Sequence, residues 1–150
     1  QLASLLKPSL VFLDLDFTNR EEALTHLAQQ MVKQGYAKES YPQAILQREE
    51  TFPTGLQTNI CGVAIPHTDC KFSNKTQLIV TTLEKPVKFK RMDDPDSEVS
   101  VSVIILILFD NPNKQLKLLS EIMKIVKNQE LLAEILKAKT PEEVYQLLNQ

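Results

Sequence analysis

The chain reads as a single α/β domain, residues 1–150, with a mixed β-sheet of about five strands flanked by helices on both faces. Three observations predict this. Helical and strand periodicities interleave along the chain, the pattern that builds a sheet covered by helices. The run at 103–109 is apolar without interruption, and a strand apolar on both faces belongs in the middle of such a sheet. The 150 residues are 43% hydrophobic and 24% charged, enough apolar material for one core at ordinary domain size.

The elements follow in order. Residues 9–15 alternate weakly and predict a first strand. Thr18 and Glu21 form a capping box before a helix with Ala23, Leu24, Leu27 and Met31 at helical spacing, ending near Gly35. Ser40, with Pro42 in the first turn, opens a second helix through Ala44, Ile45 and Arg48 that stops before Pro53. A small apolar strand, 62–65, is ended by Pro66. Residues 77–83, rich in Ile, Val and Thr, predict a strand, with a short one at 87–89 beside it and a solvated turn at 93–96. The central strand spans 99–109.

Asn111-Pro112 caps a third helix whose stripe is Leu116, Leu119, Ile122, Met123 and Val126. Leu131, Leu132, Ile135 and Leu136 predict a short helix. Thr140-Pro141-Glu142-Glu143 caps a last one with Val144, Leu147 and Leu148. The three glycines, 35, 55 and 62, are expected at helix stops and turns.

Charge and composition exclude several functions. A net charge of -2 gives no footprint for nonspecific nucleic-acid binding. The apolar run at 103–109 is far short of the roughly 20 residues of a membrane span, so no membrane insertion is expected. Lys7 and Asp14 interrupt the apolar residues of the amino end, which predicts no signal peptide; the start at Gln1 fits a trimmed terminus. Two cysteines are too few for a disulfide framework, so a cytoplasmic, reducing compartment is expected. No P-loop or G-x-G-x-x-G occurs, and no cofactor is implied.

Two histidines are available for chemistry. His26 lies inside the first amphipathic helix and reads as a partly exposed helix residue. His67 follows the strand and proline at 62–66, so a rigid element delivers it to the strand's exposed end. Cys61, His67, Asp69 and Cys70 offer metal-ligating atoms, but their spacing is not C-x-x-C and no second Cys/His pair completes a tetrahedral site. Neither a metal site nor a Cys–His catalytic pair is expected. Arg48 reads either as a surface ion pair with Glu49 or another neighbour, or as an anion-binding fork.

Arg48-Glu49-Glu50-Thr51-Phe52-Pro53-Thr54-Gly55, followed by Gly62-Val63-Ala64-Ile65-Pro66-His67, resembles the phosphorylation-site signature of the fructose/mannitol class of enzyme IIA domains of the bacterial sugar phosphotransferase system. In that family a helix ending in an Arg-Glu pair leads to a Thr-Gly turn and then to a small-residue strand ending Ala-x-Pro-His. The segments at 93–95, 99–104 and 110–119 resemble the galactitol-type branch most, as does Phe52-Pro53-Thr54-Gly55.

The resemblance implies a phosphoryl carrier. His67 would accept a phosphoryl group from phospho-HPr and pass it to a cysteine of an enzyme IIB, with the membrane enzyme IIC using it on an incoming sugar or polyol. Arg48 would stabilise the phosphoryl group, and Thr54 would either donate a hydrogen bond to it or merely cap the turn. Many relatives carry a second histidine where Gln115 stands here, and Gln can hydrogen-bond but carries no proton or charge.

The competing reading is a regulatory module whose phospho-His67 signals without feeding a transporter; a metal-dependent hydrolase lacks enough carboxylates and histidines near His67. Phe52, Pro53, Leu56 and Ile60 read either as a covered core edge or as a docking face that HPr and IIB use in turn.

Overall fold

β5 (Glu98–Leu108) is the middle strand of five, as its unbroken apolar run predicts. The order is β1-β4-β5-β3-β2, with β1 Val11–Leu15, β2 Gly55–Gln57, β3 Gly62–Ala64 and β4 Gln77–Lys90. The β4–β5 and β2–β3 pairs are antiparallel, and the β1–β4 and β3–β5 pairs parallel, so the sheet is mixed. The computed structural model describes residues 5–149; the outermost residues of the expected 1–150 domain lie outside that range.

Among the described residues five α-helices cover the sheet: α1 Arg20–Lys33, α2 Tyr41–Thr51, α3 Pro112–Lys127, α4 Gln129–Lys137 and α5 Pro141–Leu148. Residues of α1 and α2 (Leu24, Leu27, Met31, Ile45) pack with Ile79, Ile104 and Leu106 on one face. Residues of α3 to α5 (Ile122, Leu132, Ile135, Val144) pack with Val80, Ile105 and Ile107 on the other. From Val103 to Leu108 adjacent β5 residues thus enter opposite cores, so this stretch has no polar face, while Glu98 and Ser100 before it remain exposed.

Several local expectations need correction. The first helix is capped one residue later than the Thr18–Glu21 box: the Asn19 side chain accepts from the Glu22 N–H at 2.9 Å, and Glu22 accepts from the Thr18 N–H at 2.7 Å. The segments at 77–83 and 87–89 are one strand, not two side by side. β4 passes Pro86 through a bulge, where a residue without an N–H removes no ladder bond, and both halves pair with β5. On α3 the buried line is Leu118, Ile122, Ile125 and Val126, while Leu116 is 83% exposed.

Only Gly35, at φ +84° just past α1, sits at a helix stop as expected. Gly55 and Gly62 serve close approach instead. A Cβ on Gly55 would lie 2.6 Å from the Lys90 carbonyl oxygen, and one on Gly62 would collide with the Ser100 carbonyl. β2, absent from the sequence reading, exists because Gly55 lets that short segment lie against the β4–β5 arm while pairing with Ala64.

Candidate functional site

β3 is three small buried residues, and Ile65 and Pro66 carry the chain on beside β5, where the Ile107 N–H donates to the Pro66 carbonyl at 3.0 Å. His67 follows at once, half-buried at the carboxyl ends of both strands. Its ring meets the buried Phe109 ring edge to face, with centroids 6.0 Å apart at 83°. Its Nδ1 is 2.9 Å from the Ile65 carbonyl oxygen. A carbonyl only accepts, so Nδ1 carries the proton and the Nε2 lone pair is left free. Burial holds the imidazole below the ordinary histidine pKa. The bond to Ile65 opposes that shift, and the nearby Arg48 charge adds to it.

Arg48 lies on the last turn of α2. Its guanidinium stacks over the Phe52 ring at 4.4 Å, and Nη1 is 3.8 Å from an Asp69 carboxylate oxygen. The surface ion pair is therefore with Asp69, two residues past His67, and not with Glu49. That contact joins the end of α2 to the His67 segment. An open cleft of about 290 Å³ lies between them, lined by Gln47, Arg48, Phe52, Thr68 and Asp69 among others.

Thr54 and Glu49 are both buried and bonded to each other. The Thr54 N–H donates to Oε2 at 2.7 Å, and its hydroxyl reaches Oε1 at 2.9 Å and Oε2 at 3.1 Å. Of the two readings of Thr54, donor to a phosphoryl group or cap of the turn, the structure has its hydroxyl proton given to Glu49. Burial pushes the Glu49 carboxyl up to about 7, against the lowering from both Thr54 hydrogen bonds and from Arg20. The sequence signal for this pair was the dipeptide Arg48-Glu49, whose second residue the sequence reading left without a part of its own.

Gln115 is half-buried on the first turn of α3, which begins three residues after Phe109. Its head of the helix is held by Asn111, which accepts from the Asn113 N–H, and by a 3.1 Å Lys114–Asp110 pair. Of the four loop apolar residues, Phe52 (57%) and Ile60 (38%) are exposed, Pro53 is buried, and Leu56 packs against the α3 side of the core.

Burial pushes the Cys61 thiol up to about 11, which keeps it protonated at neutral pH. His26 is exposed on α1, its ring 5.4 Å from that of Phe17. No helix among the described residues is long and apolar enough to cross a membrane.

The family model described as phosphoenolpyruvate-dependent sugar phosphotransferase system, EIIA 2, matches residues 4–150. The galactitol-specific EIIA component of Escherichia coli (strain K12) is 35% identical over 105 residues, covering 70% of this chain and 69% of that one. The mannitol-specific EIICBA component of Pasteurella multocida (strain Pm70) is 28% identical over 151 residues, 99% of this chain and 23% of that longer protein. Among solved structures, the complex of enzyme IIAMTL and phosphorylated enzyme IIBMTL from Escherichia coli superposes with a TM-score of 0.79 at 23% identity, covering 97% of this chain and 99% of that chain.

Proposed function

Because the chain belongs to the EIIA 2 family of the phosphoenolpyruvate-dependent sugar phosphotransferase system, we propose that it is a cytoplasmic phosphoryl carrier whose acceptor is Nε2 of His67. The observation that carries the reading is the Nδ1–Ile65 bond, which leaves the Nε2 lone pair free on a ring that burial keeps neutral. The donor is phospho-HPr. As Nε2 forms its bond to phosphorus, the donor's bond to phosphorus breaks and its electron pair stays on the donor.

The product ring still carries its Nδ1 proton, so it is an imidazolium with the Ile65 carbonyl facing its charge. That charge makes the ring a good leaving group when a cysteine thiolate of the cognate enzyme IIB attacks in turn. Arg48, turning from Asp69 to the equatorial oxygens, supplies charge stabilisation where it is needed in transfer. With the membrane enzyme IIC, the phosphoryl group carried by IIB is then placed on the incoming sugar or polyol. The 35% identical galactitol-specific relative supports a polyol-type cargo for that transporter.

Incubation with enzyme I, HPr and labelled phosphoenolpyruvate tests the reading. Acid-labile, base-stable label on His67 that chases onto a cognate IIB is the expected result. Label that stays on His67 with every IIB tried favours the regulatory module, and no label on His67 defeats both.

A further inference from the structure

Glu49 is a buried acid for which phosphoryl transfer has so far given no use. It is 4% exposed, and among the described residues no cation forms an ion pair with it. Burying a carboxyl is unfavourable unless donors satisfy it, and here one residue supplies both of them. The N–H and O–H of Thr54 converge on its two oxygens across a span of five residues.

That span contains the end of α2. The Phe52 N–H closes the helix by donating to the Arg48 carbonyl at 2.7 Å, and Pro53 has no N–H to give. Beyond the span, Gly55 pairs with Ala64 of β3 and fits against Lys90 with no room for a side chain. The Glu49–Thr54 bonds therefore tie the last turn of α2 to the strand pair that delivers His67. They also hold the loop whose Phe52 ring supports the Arg48 guanidinium from 4.4 Å.

We propose that Glu49 is a positioning residue: through Thr54 it clamps the end of α2 and the Phe52 loop, and so sets where the Arg48 guanidinium stands relative to His67, without touching the phosphoryl group itself. The inference rests on the carrier reading, in which Arg48 stabilises transfer to His67. Adjacent side chains of one helix divide the work. Arg48 faces the cleft, and Glu49 turns inward and fixes its neighbour's backbone. A geometry error near 1 Å at a transfer site lowers rates steeply, so a buried clamp one residue from the charge-stabilising group has a kinetic consequence.

The test is a double-mutant cycle on single-turnover labelling of His67 by saturating phospho-HPr, using Glu49→Gln, Arg48→Ala and their combination. Gln keeps one acceptor oxygen for the Thr54 N–H, but its amide can only donate to the Thr54 hydroxyl oxygen, so the paired acceptance of N–H and O–H by two carboxylate oxygens is lost. Glu49→Gln is expected to slow labelling roughly tenfold when Arg48 is present and less than twofold when it is Ala, the non-additivity of residues in one network. The HPr concentration at half-maximal rate should hardly move.

A second pair guards against a folding defect. Thr54→Val keeps the shape without the hydroxyl and should slow labelling as Glu49→Gln does, while Thr54→Ser should recover most of the loss. Equal slowing with and without Arg48, or no slowing in either clamp variant, overturns the inference while wild-type labelling upholds the carrier reading. Absence of label on wild-type His67 overturns both.

Discussion

The His67 imidazole stands edge-on to the Phe109 ring at 6.0 Å, so the last residue of the apolar run at 103–109 walls the imidazole just past the end of β3. That wall is part of the burial that keeps the ring neutral. The sign of the pH dependence follows. A histidine held below its ordinary pKa of 6.5 is mostly unprotonated at neutral pH, and the midpoint of its protonation lies on the acid side of 6.5. Labelling by phospho-HPr should reach half its plateau on the acid side of pH 6.5, and the NMR titration of His67 should have its midpoint there as well. A midpoint above 6.5 contradicts the site as described.

His67→Ala should accept no phosphoryl group and should keep the native circular dichroism spectrum, because the half-buried ring lies at a strand end and not among the core residues. Acid-labile label on the mutant would reassign the acceptor.

Arg48→Ala should slow transfer to and from His67 by roughly 10²–10³ at most, the range seen on losing one charge-stabilising donor. Lys should restore part of this, since it carries the charge without the planar fork that also stacks on Phe52. The same substitution removes a positive neighbour and should raise the His67 pKa. Wild-type rates in Arg48→Ala would leave the residue as Asp69's surface partner alone.

Glu49 also marks stability. Its folded pKa, about 7, lies above its ordinary 4.5, so its contribution to stability is full below 4.5 and is lost as pH rises through 7. Relative to Glu49→Gln, the wild-type protein should therefore lose stability between pH 5 and pH 8, by about 3 kcal/mol at most for a shift of that size. Denaturant melts of both proteins across that range check it; parallel curves would mean that the carboxyl titrates normally.

Phe52→Asp should weaken encounters with both HPr and IIB, because Phe52 is 57% exposed beside Arg48 and the proposed carrier role brings both partners to the same imidazole. Ile60 is the companion variant. Leu56 is not, since its contact with the α3 side of the core makes a charge there a folding defect. Chemical-shift mapping that puts either partner on a face remote from His67 would defeat the shared surface.

The amino-acid sequence by itself determined the α/β class, the central place of β5 and the delivery of His67 to the end of a rigid strand. These are local or periodic properties: an unbroken apolar run, capping residues, and a small-residue strand ended by Pro66. Tertiary structure decided what depends on partners distant in sequence. α3 carries apolar residues around more than one face, and only the sheet beneath it selected Leu118 and Ile125 for the core and left Leu116 in solvent. Residues 77–83 and 87–89 read as two strands, and only pairing with β5 on both sides of Pro86 joined them through a bulge. The site followed the same rule. Arg48 and His67 were legible as residues, but the pairing of Arg48 with Asp69, the inward turn of Glu49 and the capture of the Thr54 hydroxyl required α2 to be docked against the sheet. A side chain's partner is set by the approach of two elements, and periodicity along one of them carries no record of it.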